Sequence, residues 1–79
     1  MLYLANDQHA NQITVNLRNE EGQVILQRQV STRWDKIRSF LGQLQQQAAA
    51  QGGYVAILEV CGFNDWLIKL LREYGCREI

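Results

Sequence analysis

Tyr54-Val55-Ala56-Ile57-Leu58-Glu59-Val60-Cys61-Gly62 is the stretch on which the fold turns. Uncharged residues from Tyr54 to Leu58 run into a carboxylate at Glu59 and then into a small Val-Cys-Gly exit. An apolar run that does not alternate suits a strand buried on both faces of a sheet, the central parallel kind. A carboxylate at the end of such a strand loses hydration, at a cost of several kcal/mol unless a cation or donors compensate. Two readings follow. Either the strand ends and Glu59 reaches solvent at the sheet rim, or Glu59 is a metal-binding or catalytic acid at the carboxyl end of a central strand, where open α/β sheets place their sites.

Upstream of this stretch, Gly52-Gly53 stops a helix that the sequence predicts from its period. Trp34, Ile37, Leu41, Leu44 and Ala48 recur at three and four residues, one stripe of an amphipathic helix. Thr32 followed by Asp35 matches a helix start in which a hydroxyl caps free amides and an acid sits in the first turn. The Gln-Gln-Gln-Ala-Ala-Ala segment is made of good helix formers and reads as the final turns. Before it, Ile13, Val15 and Leu17 alternate with polar residues in the period of a half-buried strand. Asn19-Glu20-Glu21-Gly22 supplies a turn, and Gln23 to Val30 resumes the extended pattern, so these strands form a hairpin. Arg28 interrupts the face shared by Val24, Leu26 and Val30, which places this strand at or near an edge. Leu2 to Ala5 is a short first strand with Asp7 at its carboxyl end, and Gln8 to Gln12 is a turn. Downstream, Asn64 is placed to cap a second helix with Leu67, Leu70, Leu71 and Tyr74 inward, ended by Gly75. Cys76 to Ile79 reads as the start of another strand.

Composition narrows the classes. The chain has 79 residues, 47% hydrophobic and 20% charged, without proline, which is a folding sequence for one small domain or part of a larger one. Eight basic and eight acidic residues cancel, so no whole-chain field draws it to nucleic acid or to an anionic membrane. Any polyanion binding is therefore local or metal-assisted. Cys61 and Cys76 have no metal-ligand spacing and read as reduced packing residues of a cytoplasmic protein. No apolar run approaches the ~20 residues of a membrane span.

The predicted order is strand, strand, strand, helix, strand, helix and a strand stub: an antiparallel meander with a parallel strand added by a right-handed crossover. If the fourth strand lies beside the first in parallel, their carboxyl ends meet at one rim and bring Asp7 and Glu59 together. Two close carboxylates repel unless a divalent cation, Mg²⁺ or Mn²⁺, holds both.

This arrangement resembles the RNase H-like fold as used by the RuvC Holliday-junction resolvase. Val55 to Phe63, then Leu67, Leu70-Leu71 and Gly75, is similar to the amino-terminal domain of the DEDD transposases of insertion-sequence family one-hundred-and-ten. There a hydrophobic strand is followed by a Glu, two small residues, a Gly, an aromatic and a leucine-rich helix. Leu4-Ala5-Asn6-Asp7 matches the family's first motif, with Asn6 where the family has an aliphatic residue. The resemblance implies that residues 1–79 are a single truncated RNase H-like domain. It further implies that Asp7 and Glu59 are catalytic, metal-binding acids, the first two of a four-acid set that holds Mg²⁺ (or Mn²⁺) for phosphodiester chemistry, the other two lying beyond Ile79. In the family the partners are DNA and a structured guide RNA, and the proteins assemble as oligomers. The chain alone is then expected to bind metal weakly and to be inactive.

Other residues carry plainer expectations. His9 lies two residues beyond Asp7 and, in an extended segment, points to the same side. Ser31 and Thr32 fit helix capping better than nucleophilic catalysis. Trp34 fits core packing; Trp66, in the first turn of the second helix just past Glu59, fits either packing or a partner-facing role. Arg28, Arg33, Lys36 and Arg38 form either a solvated face or a phosphate-contacting patch. A reading from another class is a non-enzymatic, self-associating interaction module that uses the exposed side of its sheet. A fragment of the sugar-kinase and actin superfamily is disfavoured, because no glycine-rich phosphate loop follows the first strand.

Overall fold

The computed structural model describes residues 1–9, 11–58 and 65–79. The elements are β1 (Leu2–Gln8), β2 (Gln12–Arg18), β3 (Val24–Ser31), α1 (Trp34–Ala49), β4 (Tyr54–Leu58) and α2 (Asp65–Glu73). They form a small mixed α/β domain whose sheet has the order β3-β2-β1-β4. The β1–β2 and β2–β3 pairs are antiparallel and β1–β4 is parallel. The meander with an added parallel strand is thus the observed topology.

Period-two patterning decides which face carries the core. Leu2 and Leu4 of β1, Ile13, Val15 and Leu17 of β2, Val30 of β3, and Tyr54 and Ala56 of β4 are all buried on one side. Against them pack Ile37, Phe40, Leu41, Leu44 and Ala48 of α1 and Leu67, Leu70 and Leu71 of α2. Phe40 escaped the sequence stripe because it lies beside Leu41 on the widened apolar face that a core-facing helix presents.

Several expectations are corrected. β4 is not buried on both faces: Ile57 is 61% exposed, because both helices lie on the Tyr54–Ala56 side. β1 runs to Gln8, so Asp7 lies within the strand, paired with Thr14, and not beyond its end. Polar side chains after Ala5 are tolerated there because alternate positions face the uncovered side of the sheet. α1 starts at Trp34 with Arg33 at the N-cap, and no side chain caps it. Ser31 Oγ instead accepts the Arg33 N–H at 3.2 Å, and the Thr32 N–H donates to Asn11 O, which holds Thr32 one residue too early to cap. Trp34 is consequently turned outward at 60% exposure.

Other features agree with the sequence. β3 is an edge strand, where Arg28 lays its guanidinium over the Phe40 ring at 5.5 Å. Gly53 takes φ +98° between α1 and β4, and a Cβ there would meet Arg77 Cδ at 2.7 Å. Gly75, at φ +83°, closes α2 as the Cys76 N–H reaches back to Leu71 O at 3.0 Å. The residues after it form no assigned strand, yet Arg77 N–H donates to Tyr54 O and Ala56 N–H to Glu78 O, both at 2.9 Å. They occupy the outer edge of β4. The predicted Asn64 cap and Cys61 lie outside the described residues; Cys76 is a free, half-buried thiol.

Candidate metal and nucleic-acid site at the carboxyl end of β1

The parallel register sets Leu2 beside Tyr54, Leu4 beside Ala56 and Asn6 beside Leu58. The carboxyl ends of β1 and β4 therefore share one rim, as expected. Asp7 projects from the uncovered side of this rim, 55% exposed, and its Oδ2 lies 3.4 Å from His9 Nε2. The extended chain brings these two to the same side, and the His9 N–H is anchored on Gln12 O at 2.8 Å. Glu59 lies outside the described residues, as does any contact between it and Asp7.

Around Asp7 the sheet surface forms a depression of about 310 Å³, lined among others by Ala5, Asp7, Thr14, Asn16, Gln27 and Leu58. Thr14, Asn16 and Gln27 were not singled out in the sequence, where polar positions alternating with Ile13, Val15 and Leu17 simply read as the wet side of a hairpin. The signal that finds them is pairing: Asp7 is opposite Thr14, Ala5 opposite Asn16, and Asn16 opposite Gln27. Asp7 is the one carboxylate among these lining residues, and the Asn16 Oδ1 beside it already accepts from Arg18 Nε at 3.0 Å; a carboxylate is the hard-oxygen ligand that Mg²⁺ or Mn²⁺ takes. Among the described residues no cluster of three or more His, Cys, Asp or Glu side chains stands within metal-binding reach.

Asn6 supports the rim from beneath. It is 7% exposed among the core residues, and its Nδ2 donates to Leu4 O and, across the strand pair, to Ile57 O, each at 3.4 Å. Backbone carbonyls of β1 and β4 thus give the buried amide two long hydrogen bonds.

On the helix side of the rim, Gln8, Thr32, Trp34 and Trp66 line a second cleft of about 340 Å³. Trp66 is half-buried against the core, and Trp34 carries the Arg38 guanidinium over its ring at 5.1 Å. The Gln8 Oε1 is buried here and has no hydrogen-bond partner among the described residues.

No protein-family model matches the chain, and no curated protein matches it significantly. No helix among the described residues is long and apolar enough to cross a membrane.

Proposed function

We propose that the chain is the amino-terminal, RNase H-like part of a metal-dependent DNA recombinase of the DEDD transposase kind, with Asp7 and Glu59 as two of its metal-binding acids. The observation that carries this reading is the parallel β1–β4 register. It sets Asn6 beside Leu58, and in sequence these residues immediately precede Asp7 and Glu59. The sheet order β3-β2-β1-β4, with a helical crossover into β4, is the order the RNase H-like reading requires. In such a site Asp7 and Glu59 would hold Mg²⁺ or Mn²⁺, and the bound cation would supply activation of the attacking oxygen and stabilisation of the leaving oxygen of a phosphodiester.

Titration with Mn²⁺ under observation of amide resonances tests the assignment. Paramagnetic broadening centred on Asp7 and Glu59 at millimolar metal, lost in Asp7→Asn, is the expected result. The absence of any response at both acids at millimolar metal sinks the reading.

A non-enzymatic, self-associating module is the second reading, favoured by one observation. Tyr3, 39% exposed, and Ile57, 61% exposed, lie on the side of the sheet that the helices leave uncovered. Sedimentation over a dilution series, with Ile57→Lys alongside, separates the two: metal-insensitive dimers broken by the lysine support the module, and a monomer at all concentrations removes it.

A further inference from the structure

Residues 28 to 43 place three cations around one groove that the metal site does not use. The groove, about 430 Å³, lies between the edge strand β3 and the first turns of α1, and Arg28, Arg33 and Lys36 line it together with Gln29, Ser39 and Gln43. Among the described residues no Asp or Glu lines it. Asp35, whose Oδ1 is 3.8 Å from Arg33 Nε, stands outside the lining, and at 76% and 66% exposure that pair is too wet to neutralise the groove. A chain of zero net charge has here a local excess of positive charge among neutral hydrogen-bond donors. Arg28 is held with one guanidinium face on the Phe40 ring, at 5.5 Å, which leaves its edge N–H groups free to donate.

The segment from Ser31 to Trp34 forms the wall between this groove and the tryptophan cleft. Ser31 and Arg33 line the basic side, while Thr32 and Trp34 line the aromatic side. A cation and an indole on consecutive residues thus face two adjoining depressions, one basic and one aromatic. The aromatic cleft also holds the Gln8 Oε1, which has no partner among the described residues and is an acceptor that the imino or amino group of a base would satisfy.

The geometry points to a binding site for single-stranded nucleic acid, with phosphates in the Arg28–Arg33–Lys36 groove and a base against Trp34 in the cleft floored by Gln8. One face of the Trp34 ring carries the Arg38 guanidinium at 5.1 Å, so a base stacks on the other; stacking on an indole beside a basic groove is how unpaired strands are held, because a duplex keeps its base faces covered. The site shares with the proposed function only the class of partner. It needs no metal, so its failure and that of the metal site are told apart by working in EDTA.

The test uses the full chain, in EDTA, with a labelled single-stranded oligothymidylate, a mixed-sequence duplex and polyglutamate as probes. Three phosphate contacts on a single strand give a slope of log K against log salt of about −2, at roughly 0.7 per phosphate. In the Trp66→Phe background the remaining indole, Trp34, is quenched on binding. R28Q/R33Q/K36Q brings the slope toward zero and weakens binding at least tenfold at low salt, whereas K69Q/R72Q on α2 changes neither, and R28K/R33K retains the slope. The substituted Arg and Lys positions are exposed, Trp66 is half-buried, and circular dichroism confirms each variant's fold. A slope untouched by the triple substitution overturns the proposal. So does duplex binding as tight as single-strand binding without Trp34 quenching, or polyglutamate binding with the same slope.

Discussion

At Asn6 a polar side chain, 7% exposed, sits on the core side of β1 in line with Leu2 and Leu4. Its two hydrogen bonds are long, 3.4 Å each, and one of them runs back within its own strand. Replacing a weakly bonded buried amide by an apolar side chain of similar size exchanges a small net hydrogen-bond gain for burial and better strand propensity. Asn6→Ile is therefore expected to raise the unfolding free energy by about 1 kcal/mol, read as a higher urea midpoint. A lower midpoint would mean that the amide fastens β1 to β4 more strongly than its geometry implies. Tyr54 is the opposite case. Its hydroxyl donates to Tyr74 O at 3.0 Å, with Leu71 O a longer 3.4 Å alternative, and so ties β4 to the end of α2. Burial, and secondarily the neighbouring Cys76 thiol, push the phenol far above its ordinary value of 10.0. Burial also raises the Cys76 thiol, against the hydrogen bonds from the backbone near Glu78 and Ala56 and the charge of Arg72. Both groups fold protonated and ionise more easily once unfolded. Their stabilisation is complete below the unfolded pKa values and is lost as pH rises through them towards the folded ones. Stability should thus fall above about pH 9 to 10, and Tyr54→Phe should cost about 2 kcal/mol at neutral pH while flattening the fall. Urea titrations at stepped pH check both, and a variant as alkali-sensitive as the parent would remove Tyr54 from the account.

At the level of elements, what was legible in the sequence is what local periodicity and turn chemistry encode. Ile13-Val15-Leu17, Leu41-Leu44-Ala48 and Leu67-Leu70-Leu71 announce their elements because one face alone is apolar. Glycines 22, 53 and 75 mark turns because only they accept positive φ there. What was not legible depends on neighbours: β4 reads as buried on both faces, since nothing in Tyr54 to Leu58 records that both helices choose one side. Half of the candidate site was legible in the same way. Asp7 and His9 are two apart in sequence, at and just past the end of β1, whereas Thr14, Asn16 and Gln27 join them only through cross-strand register. The start of α1 is the sharpest discrepancy. Thr32 carries the capping signature, yet Arg33 is the N-cap, at φ −56° and ψ 137°, with no side-chain bond to the free amides. The chain thereby forgoes about 1 kcal/mol of capping and keeps a cation in the basic groove. Arg33→Ser should stabilise the domain by about that amount, and Thr32→Ala should shift it by less than about 0.5 kcal/mol, both from urea midpoints. A large loss in Thr32→Ala would return the cap to Thr32.

For the molecule as a whole, the question is whether a sheet covered on one side can stand without a partner. The accessible surface is 5121 Å², close to the roughly 4,900 Å² that scaling gives for a folded monomer of this mass. The radius of gyration is 11.5 Å, against about 11.6 Å for a compact chain of this length. One core cluster takes in residues from all four strands and both helices, so no element has an independent reason to remain folded when the others melt. Unfolding should accordingly be a single transition, with a free energy of about 4 to 12 kcal/mol. Far-ultraviolet circular dichroism, which reports the elements, and tryptophan fluorescence, which reports the helix side of the rim, should trace the same urea curve. The midpoint should not move over a hundredfold range of protein concentration, because a surface of monomer size leaves folding uncoupled from association. A midpoint that rises with concentration would instead couple folding to pairing through the Tyr3 and Ile57 face, and would make self-association part of the fold.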